Sequence, residues 1–151
     1  MVVIAAVDRS DRAPRIVEEA VSLGAAFDEP VHVVHSMTRS TFVDLGLRSA
    51  ESGKPVSMEK VRELAREVAD DAIGDASLGD DVDASAIERV GLVGDPDEEV
   101  VEYAEREDAR YVVVMGRKQS ATAKVLFGSV AQSILLNAPC SVVTPSVRRP
   151  E

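Results

Sequence analysis

One cysteine, Cys140, is the whole thiol inventory of the 151 residues, so no internal disulfide can form. That fits a reducing cytoplasm. Cys140 follows a proline beside a strand and reads as a buried apolar thiol, with a reactive thiol as the alternative. Lysine is scarce: four residues (54, 60, 118 and 124) against thirteen arginines. Positive charge is short overall. The net charge of −10 argues against nucleic acid as the main partner. No apolar run approaches the ~20 residues that span a bilayer, so no membrane role is expected. The opening Met1–Val7 is short and has no basic flank, and reads as a first strand rather than a signal peptide. What is abundant is acid, in pairs such as Glu18-Glu19, Asp70-Asp71, Asp80-Asp81 and Glu98-Glu99. An acidic, lysine-poor surface suggests adaptation to high salt, against the alternative of an ordinary acidic cytosolic protein.

An apolar content of 45% and this length suit one domain, 1–151, with an ordered core of about 1–145. Val2–Val7 is a continuous apolar run, the mark of a strand buried on both faces. Ser10 is a candidate N-cap for a helix with Ile16, Ala20, Leu23, Gly24 and Phe27 on one face. Val31–Met37 is a second strand. Thr38 to Ser57 has no period, is long for a connection in a compact domain, and is expected to be a mobile surface segment or lid. Its centre, Phe42–Leu47, suggests a short turn of helix. Met58 to Ile73 is helical, Ala86–Val93 a third strand, Asp97–Arg106 a helix behind Gly94-Asp95-Pro96, and Tyr111–Met115 a fourth strand. Ser129–Leu136 is the last helix and Ser141–Thr144 the fifth strand. The tail from Pro145 is expected to fray. Strands alternating with helices imply parallel pairing with right-handed crossovers. Such sheets bind ligands beyond the C-terminal strand ends, where strand order reverses.

Two familiar phosphate motifs are missing. Gly116 to Lys124 holds no G-x-x-x-x-G-K-[ST], and Asp8-Arg-Ser-Asp stands where G-x-G-x-x-G would follow strand one. What remains is a strand feeding a polar basic loop from Gly116 to Gly128-Ser129, then a helix. Backbone N–H groups at such a helix start make an anion site. Gly128 permits close approach, the N–H groups of Ser129 and Val130 face the anion, and Lys118 or Lys124 adds charge. The alternative is that Gly128-Ser129 merely caps the helix. Asp8 stands where a carboxylate accepts from an adenine amino group, or is a plain turn aspartate. His32 and His35 lie on opposite strand faces and cannot share a metal. No spacing suggests a nucleophilic triad, and Tyr103 reads as a packing or surface aromatic.

Together these residues resemble the universal stress protein family. The resemblance is carried by Ile4-Ala-Ala-Val-Asp8-Arg-Ser, Val-Val-His35, Val93-Gly94-Asp95-Pro96, Val-Met115-Gly116…Leu-Phe-Gly128-Ser129-Val130 and Asn137-Ala-Pro139…Val142-Val143. It implies a five-stranded parallel α/β sheet of order 3-2-1-4-5 with two helices on each face, of the adenine nucleotide alpha hydrolase type. It implies a homodimer through Ser141–Thr144. It also implies a stress-response regulator that binds ATP or another adenine nucleotide, with Mg2+ only alongside the nucleotide and with protein partners unspecified. Carried across, the base edge falls at Ala6 and Asp8, with Ser36 near base or ribose. Met115 and Gly116 begin the phosphate loop, with Lys118 beside it, and Gly128, Ser129 and Val130 hold the phosphates. No catalytic or metal residue is implied. The nucleotide-binding branch reads G-x2-G-x9-G-[ST]. This chain departs from it: Gln119 replaces the second glycine, and eleven residues, not twelve, separate Gly116 from Gly128. Two alternatives follow: a dimeric adaptor of the same fold without nucleotide, and a weak adenine-nucleotide hydrolase.

Overall fold

The apolar run at the N-terminus becomes β1 (Val2–Ala6), with Val3, Ile4 and Ala5 fully buried. The computed structural model describes residues 1–38, 40–41, 43–44, 57–119, 124–126 and 128–146, with 117–119 and 124–126 described through their backbone. α1 (Ala13–Phe27) buries Ala13, Ile16, Val17, Ala20 and Gly24 at helical spacing. It ends at Asp28, whose left-handed φ of 53° closes the helix as its neighbour Glu29 bonds back to the Gly24 carbonyl at 2.9 Å. β2 (Val31–Met37) follows. α2 (Met58–Asp75) starts at Ser57, whose hydroxyl accepts from the Lys60 N–H at 3.1 Å. A single 3-10 turn, Ala84–Ala86, precedes β3 (Glu88–Val93). α3 (Pro96–Arg106) carries Asp97, Glu98 and Glu99 in its first turn and Arg106 in its last, which suits the helix dipole. β4 (Ala109–Val113), β5 (Arg117–Gln119), β6 (Lys124–Leu126), α4 (Ser129–Asn137) and β7 (Ser141–Val143) complete the described elements.

The main sheet has the order β3-β2-β1-β4-β7, and every pairing in it is parallel. Counting only its own strands, this is the expected 3-2-1-4-5. Alternate side chains of the buried strands serve two cores. Val3, Ala5 and Val33 pack under α1 and α2. Ile4, Val34 and Val112 pack under α3 and α4. Two helices therefore cover each face. Strand order reverses between β1 and β4, so the crevice beyond their C-terminal ends is the switch point of the sheet.

Several expectations need correction. α1 begins at Ala13, and Ser10 is not its N-cap. Asp8 Oδ1 accepts the Ser10 N–H at 2.9 Å, and the Ser10 hydroxyl accepts the Arg12 N–H at 3.3 Å. This turn occupies residues 8–12, and Pro14 fits the first helical turn behind it. β3 starts two residues later than expected, because Ala86 is held in the 3-10 turn. β4 starts earlier, because Ala109 pairs with Val2. The segment from Gly116 to Gly128 is not simply a loop: β5 and β6 form an antiparallel ladder with Gln119 opposite Lys124. Cys140 is half-buried against the core under α3 and α4 rather than fully buried. Tyr103 is a core residue, and its hydroxyl lies 2.6 Å from His32 Nδ1. The lid expected at Thr38 to Ser57 lies largely outside the described residues, of which 40–41 and 43–44 are helical. Of the tail, the Ser146 carbonyl accepts from Arg15 Nε at 2.8 Å.

Candidate functional site

A cavity of about 250 Å³ opens at the switch point. Its floor is made by the ends of three strands. Ala6 of β1 with Val7 and Asp8 just beyond it, Val34, His35 and Ser36 of β2, and Val114 and Met115 just beyond β4 line it. Gly128, Ser129 and Val130 at the start of α4 form one wall. Pro96 and Val100 of α3 close a second side, and Arg12 and Ile16 of α1 a third. Seven of the residues singled out by sequence therefore meet here: Ala6, Asp8, Ser36, Met115, Gly128, Ser129 and Val130. Gly116 is buried beside Met115 and is not among the lining residues. Lys118 is described only as a backbone position of β5 opposite Val125.

The polar groups of the cavity have distinct chemistries. Burial pulls the Asp8 carboxyl upward, but the hydrogen bonds from Ser10 and the nearby Arg12 charge outweigh it and hold it below the usual carboxylate value. Asp8 is thus an anion and a pure acceptor at neutral pH. Burial drives the His35 imidazole below its ordinary value, against the smaller opposing pull of its bond to Val7. His35 Nδ1 lies 2.8 Å from the Val7 carbonyl, which can only accept, so Nδ1 carries the proton and Nε2 is left as an acceptor. Ser36 is the buried polar side chain of the core, and its hydroxyl donates to the Gly94 carbonyl at 3.0 Å. Its proton is therefore committed, and its lone pairs remain. That bond ties the end of β2 to the turn before α3. Gly94 adopts a φ of 140° there, a conformation that favours glycine.

The start of α4 is uncapped by any side chain, and its first intrahelical bond runs from the Gln132 N–H to the Gly128 carbonyl at 3.0 Å. The N–H groups of Ser129, Val130 and Ala131 have no partner inside the helix and lie on the cavity wall. Fixed donors with a helix dipole behind them favour an anion, by ~0.3–1 kcal/mol when exposed and up to ~2 when partly buried. The residues present fit a ligand with an anionic group at one end, an apolar body, and hydrogen-bond donors at the other end. Among the described residues, no group of three or more His, Cys, Asp or Glu side chains is arranged to hold a metal ion.

Sequence reasoning missed Arg12 and His35 as lining residues. For Arg12 the signal was Pro14: a proline in the first helical turn sets the helix start near residue 13 and turns Arg12 back toward the strand ends. For His35 it was the strand end itself, one residue before Ser36.

The chain is similar over nearly all its length to proteins of one kind. A universal stress protein of Methanocaldococcus jannaschii is 28% identical over 144 residues, covering 95% of this chain and 79% of the relative. The structure of a universal stress protein from Archaeoglobus fulgidus matches with a TM-score of 0.60 at 27% identity, covering 95% of this chain and 97% of that one. An Archaeoglobus fulgidus universal stress protein in complex with dAMP matches with a TM-score of 0.58 at 26% identity, covering 95% and 96%. No described helix is long and apolar enough to cross a membrane. The family model described as the universal stress protein family matches residues 1–144, and the chain belongs to that family.

Proposed function

We propose that this protein binds an adenine nucleotide in the switch-point cavity and that occupancy regulates protein partners in a stress response. One observation carries the reading: the open N-terminus of α4 and the Asp8 carboxylate converge on one apolar cavity. The nucleotide phosphate sits against the N–H groups of Ser129 and Val130, beside Gly128. The base lies between Val34, Val100 and Met115, with its amino group donating to Asp8. Ser36 and His35 offer acceptors for ribose hydroxyls. That a relative from Archaeoglobus fulgidus forms a complex with dAMP supports an adenine nucleotide as the ligand. A volume of about 250 Å³ sits just below the ~300–1,000 Å³ usual for ligand pockets. It suits a base, a ribose and the first phosphate; further phosphates of ATP, and any Mg2+ they carry, reach toward β5 and β6. The protein acts as one domain and dimerises along β7, in a cytoplasm rich in salt.

A second reading, an adaptor of the same fold without nucleotide, is favoured by Gln119. It replaces the second glycine and lies in the β5–β6 ladder, where its backbone is paired with Lys124. Ladder bonds withdraw donors from a phosphate cradle.

Two measurements test the reading. Mass spectrometry of ligand released from purified protein is expected to find an adenine nucleotide. Calorimetry with AMP and ATP is expected to show binding that Gly128→Val abolishes. Among the described residues a Cβ at Gly128 meets nothing within 4 Å, so that variant is expected to keep its fold. Absence of binding to the wild type at millimolar nucleotide overturns the nucleotide reading and favours the adaptor.

A further inference from the structure

Resting on the nucleotide reading, we infer that Arg12 is the phosphate clamp of this cavity, a guanidinium that leaves Asp8 for the nucleotide phosphate and stands in for the second glycine that Gln119 replaces. Arg12 lines the cavity, and only 24% of its side chain is exposed. Among the described residues the guanidinium makes no hydrogen bond with any of its five N–H donors, and its one ion pair is with Asp8 Oδ2 at 3.6 Å. A guanidinium beside a cavity with all its donors open is poised for an acceptor from solution.

Asp8 does not depend on that contact, since its Oδ1 already holds the Ser10 N–H at 2.9 Å. The Arg12 backbone is anchored on both sides. Its N–H donates to the Ser10 hydroxyl at 3.3 Å, and its carbonyl accepts from Arg15 at 3.1 Å and Ile16 at 3.3 Å. The side chain therefore swings from a fixed base.

The cavity also needs a cation from this position. Arg12 is the one permanently charged cation among the described lining residues. His35, the other basic group there, is kept neutral by burial. The placement is complementary: α1 covers one face of the sheet and α4 the other, so Arg12 and the α4 N–H groups approach the cavity from opposite faces. A phosphate between them takes backbone donors on one side and a planar, bidentate donor on the other. Departure of the guanidinium leaves Asp8 Oδ2 free to accept from the base.

Calorimetry with two probes, AMP and adenosine, tests this on the wild type, Arg12→Ala and Arg12→Lys. Arg12→Ala is expected to weaken AMP at least tenfold and to leave adenosine unchanged or bound more tightly, since Asp8 Oδ2 is then free for the base. Arg12→Lys is expected to recover part of the AMP affinity, because it restores charge without the fork. Arg12→Gln, which keeps the length of the stem, repeats the test if the alanine variant is unstable. Equal loss of AMP and adenosine, or loss of neither, in a folded variant overturns the clamp while leaving the nucleotide site standing. A wild type that binds neither probe overturns the nucleotide reading and the clamp with it.

Discussion

At Gly91 β3 and α2 come into close backbone approach. A Cβ there collides with the carbonyl oxygen of Arg62 and lies 2.9 Å from the Arg66 nitrogen, both backbone atoms of α2. Backbone cannot step aside as a side-chain tip can, so the helix itself has to shift. Gly91→Ala is expected to destabilise the protein by ~1–3 kcal/mol, read as a lower melting temperature with an unchanged far-UV spectrum. A melt equal to wild type shows that α2 does not rest on β3 as described. In the sequence Gly91 is only a break in an apolar run, because nothing local announces a helix crossing above it. Gly128 is the opposite case: its φ of −64° is ordinary and a Cβ there meets nothing within 4 Å among the described residues, which do not require glycine. Its place beside the α4 donors was legible from the strand–loop–helix order. Arg12 was not, since one arginine among thirteen gains meaning only once α1 is known to start at Ala13.

At the scale of elements, the strands with apolar side chains on both faces were legible from composition, and the amphipathic helices from their period. The β5–β6 ladder was not. Each of its strands has three residues, four of the six are polar, and no Asn-Gly or Asp-Gly turn joins them. β7 ends the main sheet, as the sequence implied, and its outer edge has no partner strand within the sheet. The register shows which backbone groups lie there. The Val143 carbonyl accepts the Val114 N–H at 3.1 Å, so by the alternation of a parallel ladder the N–H and C=O of Val142 face outward. An exposed edge of this kind is a template for pairing with another chain. The Val142 side chain packs on the core under α3 and α4, so a charge at this position damages the monomer as well as an interface. Val142→Pro is cleaner, because it removes one outward donor and keeps the inward ladder bonds. Light scattering at micromolar concentration is expected to report a dimer for the wild type and a monomer for Val142→Pro, with the two melting within a few degrees of each other. A dimer that survives the proline places the interface elsewhere.

Across the whole molecule the dominant imbalance is charge: 27 acidic against 17 basic side chains. The described ion pairs offset part of it. Lys60–Glu63, Arg66–Glu59 and Arg89–Asp70 join side chains that are at least partly exposed, and such pairs contribute only ~0.2–1 kcal/mol each. Elsewhere like charges meet. On α3, burial first and then repulsion from Glu102, Glu98 and Asp95 raise the Glu99 carboxyl above its ordinary value, in spite of Arg106 nearby. Asp97, Glu98, Glu102 and Glu105 line the groove between α3 and α4. Added salt acts on both terms. It weakens the few exposed pairs, which lowers stability, and it screens the many repulsions, which raises stability. The screening length falls from ~10 Å at 0.1 M to ~3 Å at 1 M, shorter than the spacing of most surface charges but comparable to a contact pair. Long-range repulsion is therefore removed more completely than the short attractions. With a surplus of ten acids the repulsive term is the larger. The melting temperature is expected to rise steadily as KCl goes from 0.1 M to 1 M. Replacing Glu98 and Glu102 by glutamine is expected to raise the low-salt melting temperature and to flatten that rise. A melting temperature that stays level or falls over the KCl range shows that the exposed pairs outweigh the repulsion, and the high-salt reading of this surface then fails.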